Sequence, residues 1–219
     1  VPQIRSEMKK YSVPLTEYHV NSFLSTYTDD KRFLKSLLVE WSKLTQWREP
    51  ENTCVLFIQA FVEHGSFGIA FLAYRYLLRR ATPTITVLGA LSYGLRYCDR
   101  TDVIQSVWRD VHTYSIQPHE TMLHSLLTAC THTGSLTLGK EIHAYITNSG
   151  MGSSTMLQIS LVSMYGRCGS LEDAVDVFKN AEQVKLGLCN TMLAVYAQFG
   201  RDKEALQLFS EFKKHDLEP

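Results

Sequence analysis

Apolar residues along this chain recur at four-residue steps, and those steps recur in turn with a longer period of about 35 residues. Five turn-forming positions mark the period: Gly65, Asp99, Gly134, Gly169 and Gly200 stand 34, 35, 35 and 31 residues apart, each midway between two helical patterns. Starting each repeat fourteen residues before its turn gives 51–84, 85–119, 120–154, 155–185 and 186–219, with a degenerate repeat over 18–50 before them. Residues 1–17 read as an N-terminal extension or a further degenerate repeat. The seventh residues of the five clear repeats are Phe57, Leu91, Leu126, Leu161 and Met192, and the eleventh are Phe61, Leu95, Cys130, Tyr165 and Tyr196. A four-residue step puts each pair on one face of a first helix. After the turn, the twentieth residues (Ala70, Ile104, Gly139, Ala174, Ala205) and the twenty-fourth (Tyr74, Trp108, His143, Phe178, Phe209) form the stripe of a second helix. The small residues mark where two helices approach closely.

Turn chemistry agrees with this division. Gly169 is expected to end one helix and Ser170 to cap the next, with Asp173 three residues on in a capping-box arrangement, and Gly134-Ser135 repeats the pattern. Pro118 and Pro219 fall late in their repeats, where a helix has ended and a missing N–H does no harm. One such hairpin cannot bury its apolar face alone and must stack on its neighbours. The expected fold is therefore all-α, a right-handed α-solenoid of tandem helix-turn-helix repeats of about 31–35 residues.

Composition narrows the function classes. The chain is 45% hydrophobic and 20% charged, without low-complexity stretches, as in folded proteins. Lysine plus arginine equals aspartate plus glutamate at 22 each, which argues against tight non-specific binding of nucleic acid. The balance is uneven: residues 1–119 carry a net +3 and 120–219 a net −3, with Arg75, Arg79, Arg80, Arg96, Arg100 and Arg109 supplying much of the basic excess. These arginines read either as solvated helix faces or as an RNA-facing stripe. No apolar run approaches the roughly eighteen residues of a membrane span, so no membrane partner is expected.

No reactive constellation stands out. Five cysteines (Cys54, Cys98, Cys130, Cys168, Cys189), odd in number, far apart and without a C-x-x-C pair, read as small core residues in a reducing compartment. Of the eight histidines, His112, His119, His124 and His132 share one short stretch, but their helical phases do not converge, and Thr128 occupies the ligand place between His124 and His132. His143 takes the stripe place held elsewhere by Tyr74, Trp108, Phe178 and Phe209, and reads as a packed core histidine. The chain contains no H-x-E with P-C-x-x-C, no G-x-x-x-x-G-K and no G-x-S-x-G. The expectation is a protein that is not an enzyme and has no metal, cofactor or small-molecule substrate.

Period alone does not separate helical repeat families, since tetratricopeptide repeats have a similar length. Those place a small residue eighth in the first helix, where this chain has Ile58, Ser92, Leu127, Val162 and Leu193. The stretch from Ser163 through Tyr165-Gly166-Arg167-Cys168-Gly169-Ser170-Leu171 to Ala174, with Cys189-Asn190-Thr191-Met192-Leu193-Ala194, closely resembles pentatricopeptide repeats. Repeat 120–154, with Leu126-Leu127-Thr128-Ala129-Cys130 and Gly134-Ser135-Leu136 running on to Tyr145, resembles the long variant of the plant subclass. The following 155–185 resembles the short variant, and 85–119 and 186–219 the ordinary one, the order of plant P-L-S arrays.

This resemblance implies sequence-directed binding of single-stranded organellar RNA, one repeat to one base, by the fifth residue of the first helix and the last of the repeat. The slots are Val55 with Thr84, Gly89 with His119, His124 with Ser154, Ile159 with Lys185, and Asn190 with a partner beyond Pro219. Asn190 is of the type the family uses, and Met156 fits the second position, where an aliphatic side chain packs on the base. Asn190, His119, His124, Ser154 and Met156 are the candidate RNA-binding residues. The implied role is non-catalytic transcript processing (editing, splicing, stability or translation) in a mitochondrion or plastid. The alternative is a scaffold subunit of an organellar ribosome or polymerase that grips protein or structured RNA. The array stops at the last proline of a repeat, so the natural chain is expected to continue, and a targeting peptide ahead of Val1 would not be seen.

Overall fold

The structure, a computed structural model, describes residues 8, 10, 16–26, 31–43, 50–96 and 98–214. Pro219 and most of the proposed 1–17 extension lie outside the described residues. Among the described residues the regular structure is helical throughout, as α1 (Glu17–Thr26), α2 (Lys31–Ser42), α3 (Pro50–Glu63), α4 (Phe67–Leu77), α5 (Ile85–Leu95), α6 (Thr101–Thr113), α7 (Glu120–Thr133), α8 (Leu136–Asn148), α9 (Thr155–Arg167), α10 (Leu171–Lys179), α11 (Leu186–Gln198) and α12 (Asp202–Lys214). The fold is all-α, a run of helical hairpins. The chain divides into two compact units, residues 1–98 with 107–117, and residues 99–106 with 118–219.

In the first compact unit α3 packs against α1, α2, α4 and α5. Pro50 opens α3, where its ring pre-sets the helical φ and its missing N–H is no loss. Phe57, Ile58 and Phe61 then fall on the buried face. Trp41 of α2 lies 5.3 Å from the Phe57 ring, and Phe57 stacks on Phe61 at 6.1 Å, which makes an aromatic column through this core. Gly94 of α5 lets the helices close up, since a Cβ there would lie 2.5 Å from Val62 Cγ2 and 2.8 Å from Phe67 Cδ2.

The second compact unit is organised around α9, which packs against α7, α8, α10 and α11. Leu126, Cys130, Leu161 and Met192, the apolar steps of the first helices, are all buried. Gly139, in the small-residue stripe of the second helices, leaves its missing side chain's place to the Met164 thioether. The stripe thins toward the end of the chain: Phe178 and His143 are half-buried, and on α12 Phe209 is 57% exposed.

Gly134 ends α7 in the left-handed conformation at φ 66°, its N–H donating to the Cys130 carbonyl, a geometry that excludes most side chains at little penalty to glycine. The serine caps differ from expectation. Neither Ser135 nor Ser170 caps its helix with a side-chain hydrogen bond. The Ser170 hydroxyl donates instead to the Asp173 carboxylate, which also takes the Lys140 ammonium at 2.8 Å, while the Ser170 N–H, the donor that a capping box would give to Asp173, goes to the Tyr165 carbonyl at 2.9 Å.

Polar side chains register neighbouring hairpins. Thr53 donates to Asn21 Oδ1 (2.7 Å) and Tyr74 to Asp110 Oδ2 (2.7 Å) in the first compact unit. In the second, Ser154 donates to Glu120 (3.1 Å) and Gln198 Nε2 to the Gly166 carbonyl (3.0 Å). These partners stand 32, 36, 34 and 32 residues apart, about one repeat.

Candidate functional site

None of the five slot residues of the first helices is fully buried, and they differ in what they offer. Val55, Gly89, His124 and Ile159 are half-buried, whereas Asn190 on α11 is exposed with its amide available. One turn before Asn190, Gly187 carries no side chain, and a Cβ there would sit 3.1 Å from Ile159 Cδ1 of α9. This brings the first turn of α11 close over the half-buried Ile159. Met156, three residues before Ile159, is half-buried as well.

The other candidate residues are engaged within the protein. His119 is the N-cap of α7: its Nδ1 accepts from the Met122 N–H at 3.2 Å and lies 2.9 Å from the Thr121 hydroxyl. Ser154 caps α9 by accepting from the Leu157 N–H, and its own proton goes to Glu120. His124 Nδ1 lies 2.7 Å from Ser160 Oγ. The Ser160 proton is donated to the Met156 carbonyl at 2.7 Å, so Ser160 accepts from His124 and the imidazole carries its proton on Nδ1. The structure thus joins His124 and Ser154 to α7–α9 packing through Ser160 and Glu120, two residues that the sequence did not single out. Their signal is the period: each stands about one repeat from its partner.

A second polar cluster joins α8, α9 and α10. His143 Nδ1 and the Tyr165 hydroxyl share a hydrogen bond of 2.8 Å, with the rings edge to face. Burial holds the His143 imidazole below its usual range, opposed by the nearby Asp173 charge, and burial pushes the Tyr165 phenol up to about 12. Hydrogen bonds from Lys140 and then Ser170 keep Asp173 below the ordinary carboxylate range. A histidine with a lowered folded pKa favours the neutral form, so its contribution to stability is complete above about pH 6.5 and is lost as pH falls from there toward the lowered value. Urea denaturation at pH 7.5 and 5.5 should show a drop in stability at the lower pH that His143→Gln reduces; an undiminished drop in the variant would remove His143 as its source.

Cys54, Cys130 and Cys189 have their thiols pushed up to about 12, chiefly by burial, and are held as the protonated, unreactive form. Among the described residues no group of three or more His, Cys, Asp or Glu side chains could hold a metal ion, and no helix is long and apolar enough to cross a membrane.

The PPR repeat family model matches residues 159–183 and 188–217. Both segments match the PPR repeat. They take in α10 and α12 and most of α9 and α11, including Ile159 and Asn190. The pentatricopeptide repeat-containing protein At1g33350 of Arabidopsis thaliana is 39% identical over 114 residues, 51% of this chain and 21% of that protein. A second Arabidopsis thaliana protein, the putative pentatricopeptide repeat-containing protein At5g08490, is 33% identical over 162 residues, 74% of this chain and 19% of its own length. The chain therefore spans about a fifth of the length of these curated pentatricopeptide repeat relatives. Among solved structures, that of the pentatricopeptide repeat protein PPR10 in complex with an 18-nt psaJ RNA element superposes with a TM-score of 0.62 at 23% identity, covering 98% of this chain and 32% of that one. PPR10 from maize gives the same TM-score. The likeness supports the helical hairpin fold of the described residues.

Proposed function

We propose that this chain is an RNA-binding segment of a plant pentatricopeptide repeat protein that takes part in organellar transcript processing without catalysing it. The observation that carries this reading is the match of 159–183 and 188–217 to the PPR repeat, with Asn190 standing exposed at the slot position of the second segment. The ligand is single-stranded RNA. PPR10, which shares the fold, has been solved with an 18-nt psaJ RNA element. The ordinary, long, short and ordinary order of repeats 85–119, 120–154, 155–185 and 186–219 supports a P-L-S array. A relative named as chloroplastic, 30% identical over 136 residues, supports an organelle as the location, mitochondrion or plastid.

Asn190 is the principal base-reading residue in this proposal, with Met156 as an apolar contact. His119, His124 and Ser154 contribute through the hydrogen bonds that hold their helices, and act on RNA only at the edge of the interface. An exposed amide can pair with a base edge, whereas the apolar Val55 and Ile159 give contact without hydrogen-bond selection.

Equilibrium binding of the chain to a pool of single-stranded RNA at two salt concentrations, with sequencing of the bound fraction, tests this. The expected result is an enriched sequence with one position selected by the 186–219 repeat. Asn190→Ala should flatten that position with about fivefold loss of affinity, about 1 kcal/mol. Weak, salt-labile binding without enrichment would instead favour the scaffold role in a larger organellar assembly.

A further inference from the structure

On α5 the slot position holds Gly89, which offers a base nothing beyond backbone. One helical turn further along the same face stands Tyr93, 53% exposed. Residues four apart on a helix lie one above the other, so Tyr93 occupies the face that Gly89 leaves bare. The corresponding residues of the other repeats are Gln59, Thr128, Ser163 and Ala194. Tyr93 is the aromatic among them. The Arg96 guanidinium lies over the Tyr93 ring at 4.6 Å from its centroid, so one side of the ring carries a cation while the side chain as a whole stays open to solvent.

The stretch of sequence that carries Tyr93 is basic. The 35 residues from His64 through Cys98 contain four arginines, Arg75, Arg79, Arg80 and Arg96, and no aspartate or glutamate. Arg75, Arg79 and Arg80 are exposed on or just beyond α4. An exposed ring with a guanidinium stacked on it, set in a stretch without carboxylates, meets the two demands of an unpaired nucleotide: a flat apolar face for the base and positive charge for the phosphate.

We propose that Tyr93, with Arg96 behind it, is a base-stacking platform for single-stranded RNA, which supplies to the 85–119 repeat the contact that Gly89 cannot. This rests on the reading that the chain binds RNA. Stacking tolerates any base, so the platform adds affinity at this repeat and adds no sequence preference.

The test measures affinity for a single-stranded RNA and for a matched sequence pool, in the chain and in Tyr93→Ala, Tyr93→Phe and Asn190→Ala variants. Tyr93→Ala should weaken binding about tenfold, within the range for loss of one stacked base. Tyr93→Phe should bind like the original, because the ring and not the hydroxyl makes the contact. The slope of affinity against salt should be unchanged by Tyr93→Ala, since no phosphate contact is removed, and the enriched sequence should stay the same. Tyr93 is exposed, so both variants should fold; matching thermal melts check this. Unchanged affinity in Tyr93→Ala, with enrichment still lost in Asn190→Ala, overturns the platform and leaves RNA reading intact. A tenfold loss in Tyr93→Ala without any enriched sequence upholds the platform and removes base reading by Asn190. No RNA binding at all overturns both.

Discussion

Replacing Phe57 by alanine is expected to destabilise the first compact unit by about 3–5 kcal/mol, the largest effect of any substitution considered for this chain. Phe57 is wholly buried and touches an aromatic ring on either side, Trp41 at 5.3 Å and Phe61 at 6.1 Å. Its loss removes the transfer free energy of the ring and leaves a void that Trp41 and Phe61, fixed on different helices, cannot collapse into. Urea denaturation followed by tryptophan fluorescence reads this directly, because Trp41 forms one wall of the void. A loss below about 1 kcal/mol would mean that the column does not hold this core.

Gly166→Ala is the second. A Cβ on Gly166 would lie 2.5 Å from Val195 Cγ2 and 3.2 Å from Cγ1, and Val195 is a buried β-branched residue with little rotamer freedom. The side chain cannot swing aside, so α9 and α11 must part, at about 3 kcal/mol, the upper end for overpacking. The same parting strains the Gln198 bond to the Gly166 carbonyl. It also moves Ile159 away from the first turn of α11, and RNA affinity should fall with stability. Gly139→Ala is the control: its Cβ meets the flexible end of Met164, which can turn away, and the loss should stay below about 1 kcal/mol. Equal losses at the two glycines would show that the stiffness of the neighbour does not decide the outcome.

Much of the fold could be read from spacing because a helix imposes a hard geometric rule on which residues share a face. Phe57 with Phe61 and Leu91 with Leu95 are buried as the four-residue step requires. The rule weakens where burial depends on what lies next to a helix: Phe209 occupies the same stripe as Tyr74, yet it is exposed where Tyr74 is buried. Side-chain hydrogen bonds were less legible still. Ser170 and Asp173 carry the residue types of a capping box, but the Ser170 N–H donates to the Tyr165 carbonyl and its hydroxyl to the Asp173 carboxylate. His119, absent from the usual list of capping residues, does cap α7. At the candidate site, sequence named the residue types at each slot but not their engagements. His124 is bound to Ser160 at 2.7 Å and Ser154 to Glu120 at 3.1 Å, and such bonds turn on placements that no pattern of residue classes encodes. Tyr93 escaped notice because it lies outside the slot positions, although its place one turn beyond a glycine was visible.

Four of the bonds between neighbouring hairpins, those of Thr53, Tyr74, Ser154 and Gln198, each span about one repeat, two in each compact unit. The loop that must close to form one is therefore of nearly constant length, and the entropy lost in closing it does not grow as the chain lengthens. On a ribosome, a hairpin can find its partner as soon as the next thirty-odd residues have emerged, without waiting for the distant end of the polypeptide. A protein made this way can be lengthened by further hairpins without slowing the assembly of those already made.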